Sequence, residues 1–295
     1  MARTFAQLPG FDIGVRIGKG AAAIIYRAVD RTGGYVAIKH VVRRGPEDDR
    51  FIAQAENEYD VARRVDHPAL RRCYDLVRVR RWLKTAELFL VMEFIDGEKL
   101  DERYPTRVRD GLGDVVRIFS RVAEGLHALH RMGFVHADIK PTNILLSRDG
   151  ALKIIDFGQS CPIGHRKERV QGTADFIAPE QVRREPIDPR TDVFNLGATM
   201  YRILTGMAFK TSIPASVVAG VGTRKLELES RRGADPPHEL NPAVPLPLSR
   251  LVMECCETDK DNRPWDMLKV VSRLDTVLHW LQREAGNPAA ERPPA

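Results

Sequence analysis

The sequence predicts an α+β protein of two lobes, a small β-rich one followed by a larger, mainly helical one. Three observations predict it. Up to about residue 95 the apolar residues fall in short runs rich in β-branched side chains and bounded by glycine. After residue 110 they fall in long stretches of helical spacing that close on glycine. The change of character comes at "MEFIDGEKL", residues 92–100.

The elements follow in order. "DIGVRIG", "AIIYRAV" and "YVAIKHVV" read as three strands, and "LFLVMEFI" as a later one. "FIAQAENEYDVARRV" interrupts them with helical periodicity. "VVRIFSRVAEGLHALHRMG" and "DVFNLGATMYRILTG" read as long, mostly buried helices. Residues 208–247 are irregular and rich in Gly, Pro and Arg, which suggests a surface insert before the helix "LPLSRLVMECCE". The folded unit is expected over residues 11–281, its small lobe ending near 95 and its large lobe starting near 96. Residues 282–295 hold too little apolar content to pack and are expected to be disordered.

Bulk composition excludes several classes. Hydrophobic residues are 43% and charged residues 29% of the 295, which suits a soluble globular protein. No apolar stretch reaches the ~18 residues that cross a bilayer, and "MARTFAQLPGFDIG" lacks the apolar core of a signal peptide. Cys73, Cys161, Cys255 and Cys256 have no metal-ligand spacing, so buried thiols in a reducing cytoplasm are expected. The formal charge is +6, much of it at Arg63, Arg64, Arg71, Arg72, Arg78, Arg80, Arg81 and Lys84. That cluster is either a solvated basic face or a dock for an acidic partner or nucleic acid. No aromatic-rich nucleic-acid motif accompanies it, so no nucleic acid is expected.

Several residue sets suit phosphoryl transfer, which demands positioning and charge neutralisation. "IGKGAAAIIY" places Gly18, Gly20 and Ala23 between two strands. Such a turn brings backbone N–H groups close to phosphate, although a tight hairpin would look the same. In "VAIK", residues 36–39, strand alternation puts Ala37 and Lys39 on one face. A core-facing lysine needs a partner. On the following helix Phe51, Ala55, Ala62 and Val65 fall within roughly 60° of Glu58. Glu58 therefore faces inward and Glu56 faces water, which favours a Lys39–Glu58 pair over an ordinary surface pair. "HADIKPTN" supplies Asp138 and Asn143, and "LKIIDFG" ends an apolar strand in Asp156 and Gly158. Asn143 and Asp156 offer the oxygens that Mg²⁺ takes, and Asp138 remains to accept a hydroxyl proton. Any one of these carboxylates would be ordinary in a cap or turn; the ordered set points to chemistry.

In that order the chain resembles the eukaryotic-type (Hanks-type) protein kinases: a glycine loop at 18–23, "VAIK", "HADIKPTN", "DFG", "GTADFIAPE", "DVFNLG" and "DNRPW". The resemblance covers roughly residues 11–281. It implies the bilobal protein-kinase-like fold, ATP as phosphate donor, Mg²⁺ with Mn²⁺ as the alternative ion, and protein substrates with Ser or Thr acceptors. By resemblance Lys39 holds the α/β-phosphates and pairs with Glu58. Asp138 is the base, Lys140 contacts the γ-phosphate, and Asn143 and Asp156 are the metal ligands. Gly18, Lys19, Gly20 and Ala23 cover the phosphates. Met92 is the gatekeeper, Glu93 to Ile95 the hinge, and Ile25, Ala37 and Leu145 the apolar walls around adenine. Glu180 and Arg263 resemble a buried bracing pair, and Asp192 the anchor of the catalytic-loop backbone. Lys140 and Thr173 fit the serine/threonine class, and the phrasing of the motifs is closest to bacterial members.

Two departures bear on control. Ala23 replaces the usual third glycine. Ala137 replaces the arginine that, in the family, pairs with a phosphate on the activation segment. Residues 158–178 are short, with only Ser160 and Thr173 as hydroxyls, so activity without the usual segment phosphorylation is expected. Arg166, Lys167 and Arg169 are expected to be exposed basic residues without a partner, an anion site being the alternative. Two other functions compete: a pseudokinase scaffold, which usually lacks the strand lysine, base or metal aspartate, and a small-molecule kinase, against which "APE", "DVFNLG" and "NRPW" argue.

Overall fold

The β-branched runs of the first third do form a sheet. The computed structural model describes residues 8–20, 22–82, 84–209 and 234–286. Five strands, β1 (Phe11–Lys19), β2 (Ala23–Asp30), β3 (Tyr35–Val42), β4 (Cys73–Arg81) and β5 (Lys84–Glu93), make one antiparallel sheet in the order β1-β2-β3-β5-β4. β4 is the strand that the sequence hid, because its exposed face is nearly all charged, in "CYDLVRVRR". Helix α1 (Asp49–Ala62) lays Ile52, Ala55, Glu58, Val61 and Ala62 inward against it.

Beyond the join, α2 (Leu100–Arg103) and the 20-residue α3 (Leu112–Arg131) begin the helical lobe. Four short strands follow: β7 (Phe134–Val135), β8 (Ile144–Ser147), β9 (Leu152–Ile154) and β10 (Cys161–Pro162). β6 (Gly97–Lys99) at the join pairs with β8, and β10 with β7. These ladders hold the two loops that carry the chemistry, residues 136–143 and 155–160.

After α4 (Pro179–Arg183), α5 (Pro189–Thr205) has clear local causes. Pro189 opens it, the Asp188 carboxylate caps the Arg190 N–H, and Gly206 closes it at φ 74°. α6 (Pro237–Leu240), α7 (Leu246–Cys255) and α8 (Met267–Gly286) complete the described helices. Gly197 permits the close crossing of α5 on α7: a Cβ there would sit 2.6 Å from Cys255 Cβ. Ser120 on α3 donates to Asp275 on α8 at 2.9 Å.

One apolar core runs through both lobes, from Ala37, Leu90 and Met92 to Phe119, Leu196 and Leu274. All four cysteines are free and buried. Among the described residues no helix is long and apolar enough to cross a membrane. Helix α8 continues to Gly286, so residues 282–286, expected to be disordered, extend a helix instead. Residues 287–295, and most of the irregular stretch expected at 208–247, lie outside the described residues.

Candidate active site

Strand β3 and helix α1 meet at a buried charge chain. Lys39 Nζ donates to Glu58 Oε2 at 2.6 Å, and Arg71 Nη2 donates to Glu58 Oε1 at 2.6 Å. Glu58 is fully buried, so both carboxylate oxygens need a cation. Lys39 also lies 3.6 Å from Asp156 Oδ1. Burial alone would lower the Lys39 pKa, but Glu58 and Asp156 outweigh it and raise it above the ordinary lysine value. Arg71, expected within a surface basic cluster, is 5% exposed. Strand alternation offered a signal, because Arg71 shares the phase of buried Cys73 while Arg72 points out to Asp66.

The loop after β7 is strained in order to aim its groups. Ala137 has φ 61°, a left-handed conformation uncommon for a side chain with a Cβ. Three contacts hold it there. Asp192 on α5 accepts from the His136 and Ala137 N–H groups, each at 2.8 Å, and Gln181 Nε2 donates to the Ala137 carbonyl at 2.8 Å. Asp192 also takes a 2.8 Å bond with His130 Nε2. Burial pushes the Asp192 carboxyl up, but its bonds to His130 and the His136 backbone outweigh that and hold it low. His136 Nδ1 accepts from the Asp138 N–H, which leaves Nε2 to donate to the Ile155 carbonyl.

With the backbone fixed, the Asp138 carboxylate faces three donors, Lys140, Thr173 and, at 3.4 Å, Asn143 Nδ2. Lys140 Nζ lies 2.7 Å from its Oδ2, and the Thr173 hydroxyl lies 3.1 Å from its Oδ1. Lys140 also donates to Thr173 Oγ1 at 2.7 Å. Asn143 Nδ2 donates to the Asp138 carbonyl at 2.8 Å, which leaves the Asn143 amide oxygen without a partner among the described residues.

Asp156 stands at the end of the next strand with φ 67°, its side chain accepting from the Gly158 N–H. Lys39 leads the effects that hold its carboxyl down to about 2; burial opposes, and Arg71, His136 and Lys140 add to the lowering. The folded value lies below the ordinary 3.8, so this contribution to stability is full above about pH 4 and is lost as pH falls towards 2. Lys39→Met should therefore raise the Asp156 pKa. The stability gap between wild type and variant, read from urea midpoints, should narrow from pH 4.5 to pH 2.5. Glu58 keeps Arg71 as a partner in that variant.

A divalent ion would find the Asn143 oxygen and the Asp156 carboxylate here. Among the described residues no three His, Cys, Asp or Glu side chains cluster for metal. Two oxygens nevertheless suit Mg²⁺, which completes its shell with phosphates and water.

The residues expected to wall adenine come from neighbouring strands. Ala37 and Met92 are buried and face each other across β3 and β5, and Ile25 and Leu145 are partly buried. The Glu93 N–H donates to the Arg72 carbonyl, and the Glu93 carboxylate pairs with Lys153 at 2.6 Å. No hydrogen bond holds the Ile95 backbone among the described residues, which leaves that peptide available to an adenine edge. Of the residues expected to cover the phosphates, Gly18 and Lys19 lie within β1 and Ala23 within β2. Gly20 N–H donates to the Ala23 carbonyl at 2.8 Å. A Cβ on Gly18 would meet the Ile25 side chain at 3.4 Å, an ordinary van der Waals distance.

The segment after Asp156 corrects one expectation. Lys167 is only 7% exposed, and its ammonium donates to the Gln159 carbonyl and side-chain oxygen. Burial lowers its pKa, with Cys161, Asp138 and Asp192 opposing. Ser160 is buried with its hydroxyl on the His136 carbonyl. Three further residues carry no signal in the sequence: Asn57, Gln181 and Asn195. Asn57 on α1 donates to the carbonyls of Phe157, Gly158 and Ser160. Gln181 accepts from Ala178 N–H and from Asn195. Below them Arg263 grips Glu180 with two bonds of 2.8 and 2.9 Å, and Thr191 adds a third at 2.8 Å.

Known proteins match this sequence. The profile of the protein kinase domain matches residues 11–271. A probable serine/threonine-protein kinase of Clostridium acetobutylicum is 26% identical over 90% of this chain and 40% of its own length. The probable serine/threonine-protein kinase PknB of Bifidobacterium longum is 29% identical over 86% of this chain and 37% of its own length. Serine/threonine-protein kinase PknL of Mycobacterium tuberculosis is 36% identical over 65% of this chain and 48% of its own length. The chain thus spans less than half the length of these relatives. With a kinase-domain profile over most of its length and the buried lysine–glutamate pair formed, the chain belongs to the protein kinase family.

Proposed function

We propose that this chain is an ATP-dependent serine/threonine protein kinase, using Mg²⁺ or Mn²⁺, that works without phosphorylation of its own activation segment. The observation that carries the reading is the cluster at Asp138. Its carboxylate is held between Lys140 and Thr173, while the Lys39–Glu58 pair is closed beside Asp156. Asp138 accepts the proton of the acceptor hydroxyl, and Lys140 stabilises charge on the transferred group. Lys39, held by Glu58, sets the α/β-phosphates, while Gly18, Lys19, Gly20 and Ala23 close over them. Met92, Glu93 and Ile95 bound the adenine site between Ile25, Ala37 and Leu145. Bound at Asn143 and Asp156, the divalent ion supplies neutralisation of phosphate charge.

The names of the relatives support the serine/threonine class, as does Lys140 bonded to Thr173. Four free, buried cysteines agree with a reducing cytoplasm. The purified chain with ATP, Mg²⁺ and a generic protein substrate, followed by phosphosite mapping, tests the reading. Phosphate on serine and threonine is expected. Nucleotide binding without transfer would make the chain a scaffold, and transfer only to small molecules would move it to another class.

Control without segment phosphate needs something else to order the segment. Ala137 offers no cation, its methyl group packing with Val135, Cys161 and Ile187. Lys167 supplies the tie instead, from within the segment to Gln159. Lys167→Met should lower kcat for a peptide by roughly 10–100-fold through misplacement of the segment. KM for ATP, whose walls lie elsewhere, should hold. An equal rise in KM for ATP would place Lys167 in nucleotide binding.

A further inference from the structure

The β4–β5 hairpin puts a large apolar ring where a turn is built for small residues. Arg81 pairs with Lys84 across the strands, so the turn is two residues long, and Trp82 opens it at φ 58°. Two-residue hairpin turns ask for left-handed backbone, which Asn, Asp and Gly supply. A bulky side chain makes that conformation more costly, and here nothing offsets it by packing: Trp82 is 99% exposed. Neither feature helps the fold, and strain with exposure at one residue points to a use outside it.

The charged residues flanking the ring along the hairpin, Arg80, Arg81 and Lys84, are all basic. The strand register shifts between Val79 and Arg80, a bulge that re-aims the side chains before the tip. Arg80, Arg81 and Lys84 are all exposed beside the ring, and none is in an ion pair among the described residues. Asp49, whose carboxyl feels Lys84, is already paired with Arg43. Further back, Arg78 pairs with Glu56 and Arg72 with Asp66. The unpaired charge of this basic strand is therefore gathered at its end, around Trp82.

The geometry points to a membrane-surface element: the hairpin tip seats Trp82 at the headgroup level of an anionic lipid bilayer, with Arg80, Arg81 and Lys84 on the headgroup anions. An indole is apolar in body with one polar edge and settles at that depth, and each nearby basic residue adds attraction to anionic lipid. A fully exposed ring on a two-residue turn encloses no pocket for a small ligand. A protein partner would need about 800 Å² on each side. The other exposed aromatic on β4, Tyr74, lies about 26 Å back along the strand. The contact is one-sided and reversible, and it does not rest on the kinase reading.

Sedimentation of the full chain with vesicles tests this, comparing phosphatidylcholine alone with phosphatidylcholine containing phosphatidylglycerol at low salt. Binding is expected only to the anionic vesicles and should weaken as salt rises. Neutralising Arg80, Arg81 or Lys84 to Gln should weaken it about fivefold per residue. Trp82→Ser should weaken it without changing the melting temperature. The blue shift of tryptophan emission on binding should vanish in Trp82→Phe, although Trp265 and Trp280 remain. No binding to anionic vesicles, equal binding to neutral ones, or indifference to Trp82→Ser overturns the proposal. The first of these results with capture by an acidic protein would assign the tip to a protein partner.

Discussion

Asp138→Asn lowers kcat for protein phosphorylation by roughly 10²–10⁴-fold, the span expected when a positioned base is removed, and leaves KM for ATP nearly unchanged. The asparagine oxygen still accepts from Lys140 or Thr173 and Asn143 keeps its 2.8 Å bond to the residue 138 carbonyl, so the loop keeps its shape, and Asp156 and the Lys39–Glu58 pair are untouched. The proton acceptor is lost, and with it the charge that pairs with Lys140. Steady-state kinetics with a peptide substrate check this, and undiminished turnover would remove Asp138 as the base.

Arg263→Met should destabilise the chain by roughly 3–5 kcal/mol, because it strands the Glu180 carboxylate in the core. Glu180 is 2% and Arg263 4% exposed, so water does not replace the lost partner. The guanidinium also donates to the carbonyls of Glu257, Thr258 and Arg190 and lies over the Phe194 ring. Several contacts therefore fail together, and a melting curve should drop by roughly 6–20 °C. Adding Glu180→Leu should recover part of the loss, because the uncompensated charge goes with it. A double variant no more stable than the single one would mean that packing, not charge, carries the effect.

The legibility of each residue in the sequence depends on the period of its signal. Helical phase is sharp over four turns, so the spacing of apolar residues alone sets Glu58 inward and Glu56 outward, and α1 holds them that way. The second cation on Glu58 is harder to find. Arg71 sits in a run of arginines, and composition reads such a run as surface even though its alternation with Cys73 marks it as buried. The same bias hides β4, whose outward face is charged along its length. Lys167 departs from expectation for a related reason. No periodicity governs an irregular segment, and only the fold brings its ammonium back to Gln159, eight residues earlier. Gln181 is a pure tertiary case, since its amide bridges the segment, α5 and the Ala137 carbonyl. The glycine-rich stretch falls where the sequence puts it, but strand pairing runs through Gly18, Lys19 and Ala23, because backbone hydrogen bonding continues there irrespective of side chain.

Apart from Arg71, the residues that escape the sequence are those that hold the segment, while the groups assigned to chemistry are legible in it. That division matches the proposed role of Ala137, whose methyl group packs with Val135, Cys161 and Ile187 and offers the segment no cation.

The most direct measurement is the initial rate of substrate phosphorylation by phosphatase-treated chain, with intact mass confirming that residues 158–178 carry no phosphate. Immediate linear turnover onto serine and threonine is the expected result. A lag that ends only as phosphate appears on Ser160 or Thr173, and that is abolished when that hydroxyl is removed, would contradict it.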